Sequence, residues 1–312
     1  MEKLYLGVDL GGTNIAAGLT DSAGTLLKKE SVPTPRGTEQ IVEAITGLCD
    51  RLTGGETAAS LGVGVPGTVW PKGTVSYACN IDMKKVPLEE MLREKLRLPV
   101  HVENDANCAA LGEYFAGAGK GAASLLCVTL GTGVGGGFVE NGRLFRGFNG
   151  CGAEMGHMVI RIGGKECACG RRGCFERYAS VTALIEGCLA YIAEAPGSAC
   201  AQIAARQGKV DGHTAFLAME AGDAGAEAVF QHYVTDLACG LTNLVNIFQP
   251  EVLCVGGGIS ARGETLLAPV REIVERENYA RDCPARFTLT AAKLGGDAGI
   301  IGAALLERAE KG

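Results

Sequence analysis

Apolar residues along this chain come in short runs cut by glycine-rich turns. Leu4–Val8 reads as a buried strand that ends in Asp9-Leu10-Gly11-Gly12-Thr13-Asn14, and Ile15–Leu19 reads as a second strand. Asp21-Ser22-Ala23-Gly24 predicts a turn, and Leu26–Val32 a third strand. This is a meander, not a strand feeding a helix. Thr38–Leu52 sets Ile41, Ile45 and Leu48 at helical spacing. Leu61–Val65 predicts a short buried strand that stops at Pro66-Gly67. Leu88–Leu96 is helical, with Leu88, Met91 and Leu92 on one face. Val100–Val102 predicts a strand, followed by Glu103-Asn104-Asp105 and an Ala-rich helix to about Ala116.

At Leu125 the pattern starts again. Leu125–Leu130 predicts a strand, Gly131-Thr132-Gly133 a loop, Gly136–Val139 a strand and Asn141-Gly142 a hairpin turn. Strand, Gly-Thr loop and strand therefore occur twice, about 120 residues apart, a spacing that suits duplication of a whole domain rather than a solenoid repeat. A Cys-rich loop over 167–174, helices across 179–247 and a strand at Val252–Val255 follow. Gly256-Gly257-Gly258 then leads into a helix, and Gly299–Arg308 predicts a last Ala-rich helix.

Length and composition narrow this picture. At about 150 residues per domain, 312 residues predict two domains. Glycine fills 47 positions, about twice its usual share, with no G-X-Y period. With 47% hydrophobic residues the chain is neither collagen-like nor disordered, but a packed protein with many tight turns. A net charge of −6 argues against a polyanion-binding surface, although backbone N–H groups can still hold a small phosphate. No stretch approaches the roughly 18 apolar residues of a membrane span. Met1-Glu2-Lys3 runs into the first strand without an apolar signal region. Thirteen cysteines in that setting point to a reducing, cytoplasmic compartment and mostly free thiols.

The glycine clusters carry the candidate chemistry. Residues 131–136 fit G-x-G-x-x-G, but that dinucleotide fingerprint must open a helix, and Gly137-Phe138-Val139 continues as strand. Asp9-x-Gly11-Gly12-Thr13 makes better sense as a phosphate turn. Its glycines admit an anion to the backbone, Thr13 adds a hydroxyl, and Asp9 can orient Mg²⁺ through water. The plain alternative is an ordinary Gly-rich hairpin, and the near-copy at Leu130-Gly131-Thr132-Gly133 weakens it. Glu103-Asn104-Asp105 reads either as a helix N-cap or as a catalytic group at a strand end, where an Asp can take a proton from an attacking hydroxyl. His157, Cys167, Cys169 and Cys174, spaced H-x9-C-x-C-x4-C, suit a closed structural zinc site. The alternative, a redox pair, is disfavoured by the compartment. The other cysteines, Cys127, Cys239 and Cys254 among them, read mostly as small core residues, and Trp70 as packing. His101, His213 and His232 show no partner pattern.

Together these segments resemble the ROK family (repressors, open reading frames, sugar kinases) of the actin/hexokinase-like ATPase superfamily. The matching stretches run nearly end to end. They are Gly7-Val8-Asp9-Leu10-Gly11-Gly12-Thr13-Asn14, Val63-Gly64-Val65-Pro66-Gly67, Glu103-Asn104-Asp105-Ala106-Asn107 and Leu130-Gly131-Thr132-Gly133. They continue with Glu154-Met155-Gly156-His157, the segment from Cys167 through Gly170, Gly173 and Cys174 to Glu176, Gly256-Gly257-Gly258 and Ala298–Ala304. Glu-x-Gly-His followed by Cys-x-Cys-Gly-x-x-Gly-Cys-x-Glu is highly specific to this family.

The resemblance implies an α/β fold of two actin/hexokinase-like (RNase H-like) domains, with a catalytic cleft between them and a zinc-binding loop. The expected division is 1–117 plus 299–312 for a small N-terminal domain and 118–298 for a large one. The implied activity is that of an ATP-dependent sugar kinase of the glucokinase type. Asp105 matches the general base, and Asn80, Asn104, Asp105, Glu154, His157 and Glu176 match hexose-binding positions. Asp9, Gly11, Gly12, Thr13, Gly131, Thr132 and Gly133 match phosphate and metal contacts, and Gly256 and Gly257 the adenosine side. Zinc on His157, Cys167, Cys169 and Cys174 would be structural and would order the sugar loop. Glucose is the first expectation, with fructose, mannose, allose, N-acetylglucosamine and N-acetylmannosamine as alternatives. Ile81-Asp82-Met83 follows Asn80 where the family often has Leu-Pro, which leaves the hexose open. Expected partners are the hexose, ATP with Mg²⁺ and further copies of the chain as a dimer or tetramer, with no membrane or nucleic acid. Repressors of the family carry an N-terminal helix-turn-helix, and the acidic charge and eight residues before Asp9 speak against one here.

Overall fold

The fold is seen in a computed structural model that describes residues 3–70, 72–78, 81 and 83–311. The first meander forms as expected: β1 (Leu4–Leu10), β2 (Asn14–Thr20) and β3 (Leu26–Pro33) pair antiparallel. β4 (Ala58–Val65) joins β1 in parallel, and β8 (Val100–Asn104) joins β4 in parallel. The sheet order is β3-β2-β1-β4-β8. Its central strands are almost wholly buried and read as continuous apolar runs, as parallel strands covered on both faces do. One face is covered by α1 (Thr38–Thr53) and α2 (Leu88–Leu96), whose Ile41, Ile45, Leu48, Leu88 and Leu92 share a core with Leu6, Val8, Leu61 and Val63.

α3 (Asp105–Ala116) and α10 (Ala298–Ala304) pack against this sheet at backbone distance. A Cβ on Gly7 would stand 1.9 Å from the Ile300 carbonyl oxygen, one on Gly62 1.8 Å from that of Ala303, and one on Gly302 1.6 Å from that of Cys108. These glycines therefore serve packing, and no residue with a side chain fits there. α11 (Leu306–Lys311) follows α10 after a break at Leu305, so the single tail helix expected over Gly299–Arg308 is two. Leu305 N–H bonds to both Ile301 and Gly302 carbonyls, the tightening typical of a helix end.

A small antiparallel sheet of β5 (Thr68–Trp70), β6 (Thr74–Ala78) and β7 (Met83–Val86) was not foreseen. Its strands are three to five residues long, too short for a clear alternation. Trp70 is exposed on it, not packed.

The second meander gives a second mixed sheet. β9 (Ser124–Leu130), β10 (Val134–Glu140), β11 (Arg143–Leu144), β12 (Val252–Gly256) and β13 (Thr288–Ala291) lie in the order β11-β10-β9-β12-β13. In chain order both five-stranded sheets run third, second, first, fourth, fifth, so the repeat seen in the sequence is a repeat of topology. The G-x-G-x-x-G of residues 131–136 runs into β10 and opens no helix. Between β11 and β12 come α4 (Glu176–Ala179), α5 (Val181–Glu194), α6 (Ala199–Gln207), α7 (Thr214–Glu220) and the long α8 (Ala224–Phe248); α9 (Glu264–Glu277) follows β12. Asp223 caps α8 by accepting from the Gly225 and Ala226 N–H groups, and Ser180 caps α5 by accepting from Ala183 N–H.

Contacts group Met1–Val128, Gly136–Ala153 and Ala292–Gly312 into one compact unit, and Thr129–Gly135 with Glu154–Ala291 into another. Residues 118–128, 136–153 and 292–298, which the sequence assigned to the later domain, thus lie in the first unit. The reason is visible at α3. Glu113, fully buried, accepts from the N–H groups of Ala118, Lys293 and Leu294, and a Cβ on Gly137 would touch Ala110 at 2.7 Å. Cys127 and Cys254 are buried as expected; Cys239 is exposed. Among the described residues no helix is long and apolar enough to cross a membrane.

Candidate active site

In the first unit the candidate residues gather at the ends of β1 and β8. The turn after β1 closes on itself, with Gly11 N–H donating to the Asn14 carbonyl at 3.0 Å. Thr34, just past β3, holds it: its N–H donates to the Thr13 carbonyl (2.9 Å) and its hydroxyl to the Gly11 carbonyl (2.7 Å). Gly12 and Thr13 stand exposed at the tip. Asp9 lies partly buried beneath, and a Cβ on Gly299 would come within 3.2 Å of its Oδ2. Burial raises the Asp9 pKa, and the charge of Lys29 opposes that.

β8 ends at Asn104, which is the N-cap of α3. Its Oδ1 accepts from Ala106 N–H (2.9 Å) and Asn107 N–H (3.1 Å). Its Nδ2 donates to the Gly67 carbonyl (3.2 Å) and to Asp105 Oδ1 (3.0 Å). The two readings of this segment thus both have a physical basis: Asn104 caps, and the cap orients Asp105. Asp105 Oδ1 also accepts from Ala106 N–H at 2.8 Å. Both bonds fall on Oδ1 and leave Oδ2 for an incoming proton. Burial, reinforced by the Asp9 charge, pushes the Asp105 carboxyl up to about 6 against the pull of those hydrogen bonds. A carboxylate near that value is well matched to general-base work at neutral pH. Behind it Glu103, buried, accepts from Asn104 N–H, Asn107 Nδ2 and Arg146 Nε.

In the second unit the Gly131-Thr132-Gly133 turn closes through Gly131 N–H donating to the Gly133 carbonyl at 3.0 Å. The first turn of α5 holds it. Val181 N–H donates to the Gly131 carbonyl (2.9 Å), and the Thr182 hydroxyl to the Thr132 carbonyl (2.7 Å). Gly257, with φ 92°, presses on the same strand end: a Cβ there would stand 2.0 Å from the Leu130 carbonyl oxygen. A cavity of about 440 Å³ opens here, lined by Gly131, Thr132, Ile185, Lys209, His213 and Ile259 among others. That volume suits a small-molecule ligand. Gly258 lines it too, so the Gly256–Gly258 turn and the hairpin meet at one cavity.

The Cys/His set also comes together. The ligand atoms of His157, Cys167, Cys169 and Cys174 all lie within 4.8 Å of one another. Cys167 Sγ is 3.7 Å from His157 Nδ1, and Cys169 Sγ is 3.6 Å from Cys174 Sγ. A zinc tetrahedron with Zn–S bonds of about 2.3 Å has edges of about 3.8 Å, so the donor set and its spacing fit zinc. Glu176, at the start of α4, accepts from Cys167 Sγ (2.9 Å), lies 3.6 Å from His157 Nδ1, and would meet a Cβ on Gly133 at 2.6 Å. Burial and this carboxylate raise the Cys167 thiol to about 12, so a bound cation would have to drive its deprotonation. Glu154 is exposed, and its carbonyl accepts from His157 N–H at 3.1 Å. Asn80 lies outside the described residues.

Sequence reasoning passed over Thr34, Thr182, Arg146 and Lys209, and gave Glu103 and His213 no role of their own. Glu103 sits inside a motif already singled out, and that was its one signal. The others act across 21 to 50 residues or more, where no local spacing reports them.

The ROK family profile matches residues 5–310. The chain belongs to the ROK family. Within the family it is 38% identical to the glucokinase of Streptomyces coelicolor over 310 residues, 98% of each chain. It is 39% identical to the glucokinase of Thermotoga maritima over 313 residues, 97% of each. Among solved structures it resembles a ROK family glucokinase from Streptomyces griseus in complex with glucose and AMPPNP, with a TM-score of 0.83 and 38% identity. That match covers 99% of this chain and all of the other. The mixed sheets described above are therefore the α/β fold of ROK sugar kinases.

Proposed function

We propose that this ROK protein is a hexokinase of the glucokinase type, transferring the γ-phosphoryl group of ATP to glucose. The observation that carries the reading is the Asp105 carboxylate, oriented by the α3 cap and raised to about 6 by burial. The glucokinase relatives, matched along nearly their full length, support the substrate class.

In the reaction a sugar hydroxyl oxygen attacks the γ-phosphorus, the bond to the bridging oxygen breaks, and ADP leaves. Asp105 Oδ2 takes the hydroxyl proton. Phosphoryl transfer asks the protein mainly for positioning and charge stabilisation. Beyond the Gly11 and Gly131 N–H groups that close them, the two turns would supply backbone N–H groups to the phosphates without net positive charge, which suits an acidic chain. Asp9, partly buried at the end of β1 beside a glycine, has the donor chemistry to hold Mg²⁺ through water, and that ion neutralises phosphate charge. Asn80, Asn104, Glu154, His157 and Glu176 are the proposed hexose contacts beside Asp105. Asn104 reaches this role with its side chain already shared between Gly67 and Asp105.

Zinc fits the four donors and would act as a structural tie. His157 would bind it through Nδ1, leaving Nε2 for the sugar, and Glu176 would brace the site from outside. A cytoplasmic location and assembly as a dimer or tetramer belong to the same proposal. An ADP-release assay across a panel of hexoses tests it. Turnover with glucose first is the expected result; no ATP turnover with any hexose overturns the kinase reading.

A further inference from the structure

Both Gly-Thr turns are held in the same way, by elements that are not equivalent. At the first, one N–H and one threonine hydroxyl (both from Thr34) are donated to the Thr13 and Gly11 carbonyls. At the second, one N–H (Val181) and one threonine hydroxyl (Thr182) are donated to the Gly131 and Thr132 carbonyls. Both hydroxyl bonds are 2.7 Å long. Thr34 follows the third strand of its meander; Thr182 sits in the first turn of a helix more than forty residues beyond its turn. Duplication of the meander does not by itself produce this likeness, because the second clamp comes from outside the repeated segment.

The chemistry explains why such a clamp is useful. A turn that offers N–H groups to a phosphate must turn its carbonyls elsewhere, since a carbonyl oxygen facing the anion repels it. A donor placed on each carbonyl holds it turned away from the anion. In both turns the clamp takes two carbonyls and leaves the tip residues Gly12, Thr13, Gly131 and Thr132 exposed. We propose that Thr34 and Thr182 are positioning residues for ATP, whose hydroxyls fix the two turns in their phosphate-binding shape. This rests on reading the turns as phosphate contacts.

Two measurements test the clamps, one of which needs no ATP. Amide exchange is followed at Gly11 and Gly131, whose N–H groups close the turns, in wild type and in the Thr34→Val, Thr34→Ser, Thr182→Val and Thr182→Ser variants. Each Val variant is expected to speed exchange severalfold at its own turn and leave the other turn unchanged. Each Ser variant, which keeps the hydroxyl, is expected to stay near wild type. Calorimetric titration with AMPPNP and steady-state kinetics give the second readout. Each Val variant is expected to raise Kd for AMPPNP and KM for ATP about fivefold, the weight of one ordinary hydrogen bond, with KM for hexose unchanged. Unchanged exchange in the Val variants overturns the clamp. Faster exchange with unaltered AMPPNP affinity, or an equal rise in both KM values, reduces the threonines to structural residues and overturns their role toward ATP. If wild type binds AMPPNP but phosphorylates no hexose, the kinase reading fails while the titration still decides the clamp. If wild type binds no AMPPNP, both fall.

Discussion

The two five-stranded sheets share one strand order and differ in almost everything attached to it. Each begins with a meander whose first turn is a Gly-Thr hairpin. In the first sheet the fifth strand, β8, runs directly into α3 and delivers Asp105 at the junction. In the second the fifth strand, β13, ends at Ala291 with no carboxylate, and the chain passes to a segment tied down by Glu113. The second unit spends its added length on the Cys/His loop and the helices from α4 to α8. The backbone scaffold is duplicated, and the side-chain chemistry is not. On the proposed reading, phosphate turns depend on backbone N–H groups and so are copied with the fold, whereas the general base and the metal set depend on particular side chains and are not.

The sharpest way to break this asymmetry is to remove the carboxylate. Asp105→Asn keeps the size and the cap geometry of the side chain but not its basicity. It is expected to lower kcat by about 10² to 10⁴, the usual weight of a general base, while glucose affinity stays within a few fold. The wild-type pH profile is linked to the same group. Its carboxyl is raised to about 6, and the ionised form is the base, so activity is present above that value and lost below it. kcat/KM should fall tenfold per pH unit on the acid side, and the residual rate of the variant should lack that limb. A variant with near-normal turnover, or a profile whose acid limb survives the substitution, would remove Asp105 from the chemistry.

The next test is directed at the second unit. Metal analysis is expected to find about one zinc per chain, following the four-donor count. Cys174→Ser, at a fully buried ligand, should lose it and lower the unfolding midpoint by at least about 5 °C. Amide protection should disappear over residues 157–176 and persist at Gly11, whose turn is held by bonds to Asn14 and Thr34. Fully active protein without zinc would end the structural-metal reading.

What the sequence disclosed follows how far apart the interacting residues are. The meanders and the Gly-Thr turns were legible because strand periodicity and turn chemistry are local. The Cys/His set was legible because its four members fall within eighteen residues, close enough for spacing to carry meaning. Trp70 and Cys239 were misjudged because apolar character alone does not say whether a neighbouring element will cover it. The glycines taught the most. Gly7 and Gly62 looked no different from the ligand-loop glycines, yet their partners are Ile300 and Ala303, at the far end of the chain. Glycine excess in this protein therefore has two causes, ligand approach and helix-on-sheet contact, and only the three-dimensional arrangement separates them. Thr34 and Thr182 were invisible for the same reason, each being an unremarkable threonine until its acceptor is known.

The smallest expected effect compares corresponding positions in the two turns. A Cβ on Gly11 would lie 2.9 Å from the Asn14 carbonyl oxygen, the acceptor of Gly11's own N–H, whereas one on Gly131 meets nothing within 4 Å. Gly11→Ala should therefore cost about 1 kcal/mol of stability, and Gly131→Ala less than about 0.5 kcal/mol. Both should weaken ATP binding, Gly11→Ala by shifting the turn and Gly131→Ala by placing a methyl in the open space beside its exposed backbone. Thermal unfolding measures the first quantity and calorimetric titration with AMPPNP the second. Equal stability losses would mean that the two turns are packed alike and that the difference in their surroundings has no energetic weight. A stability difference with equal loss of nucleotide affinity would show that the turns share one ligand role within unlike supports, which is the asymmetry of the two sheets reduced to a single methyl group.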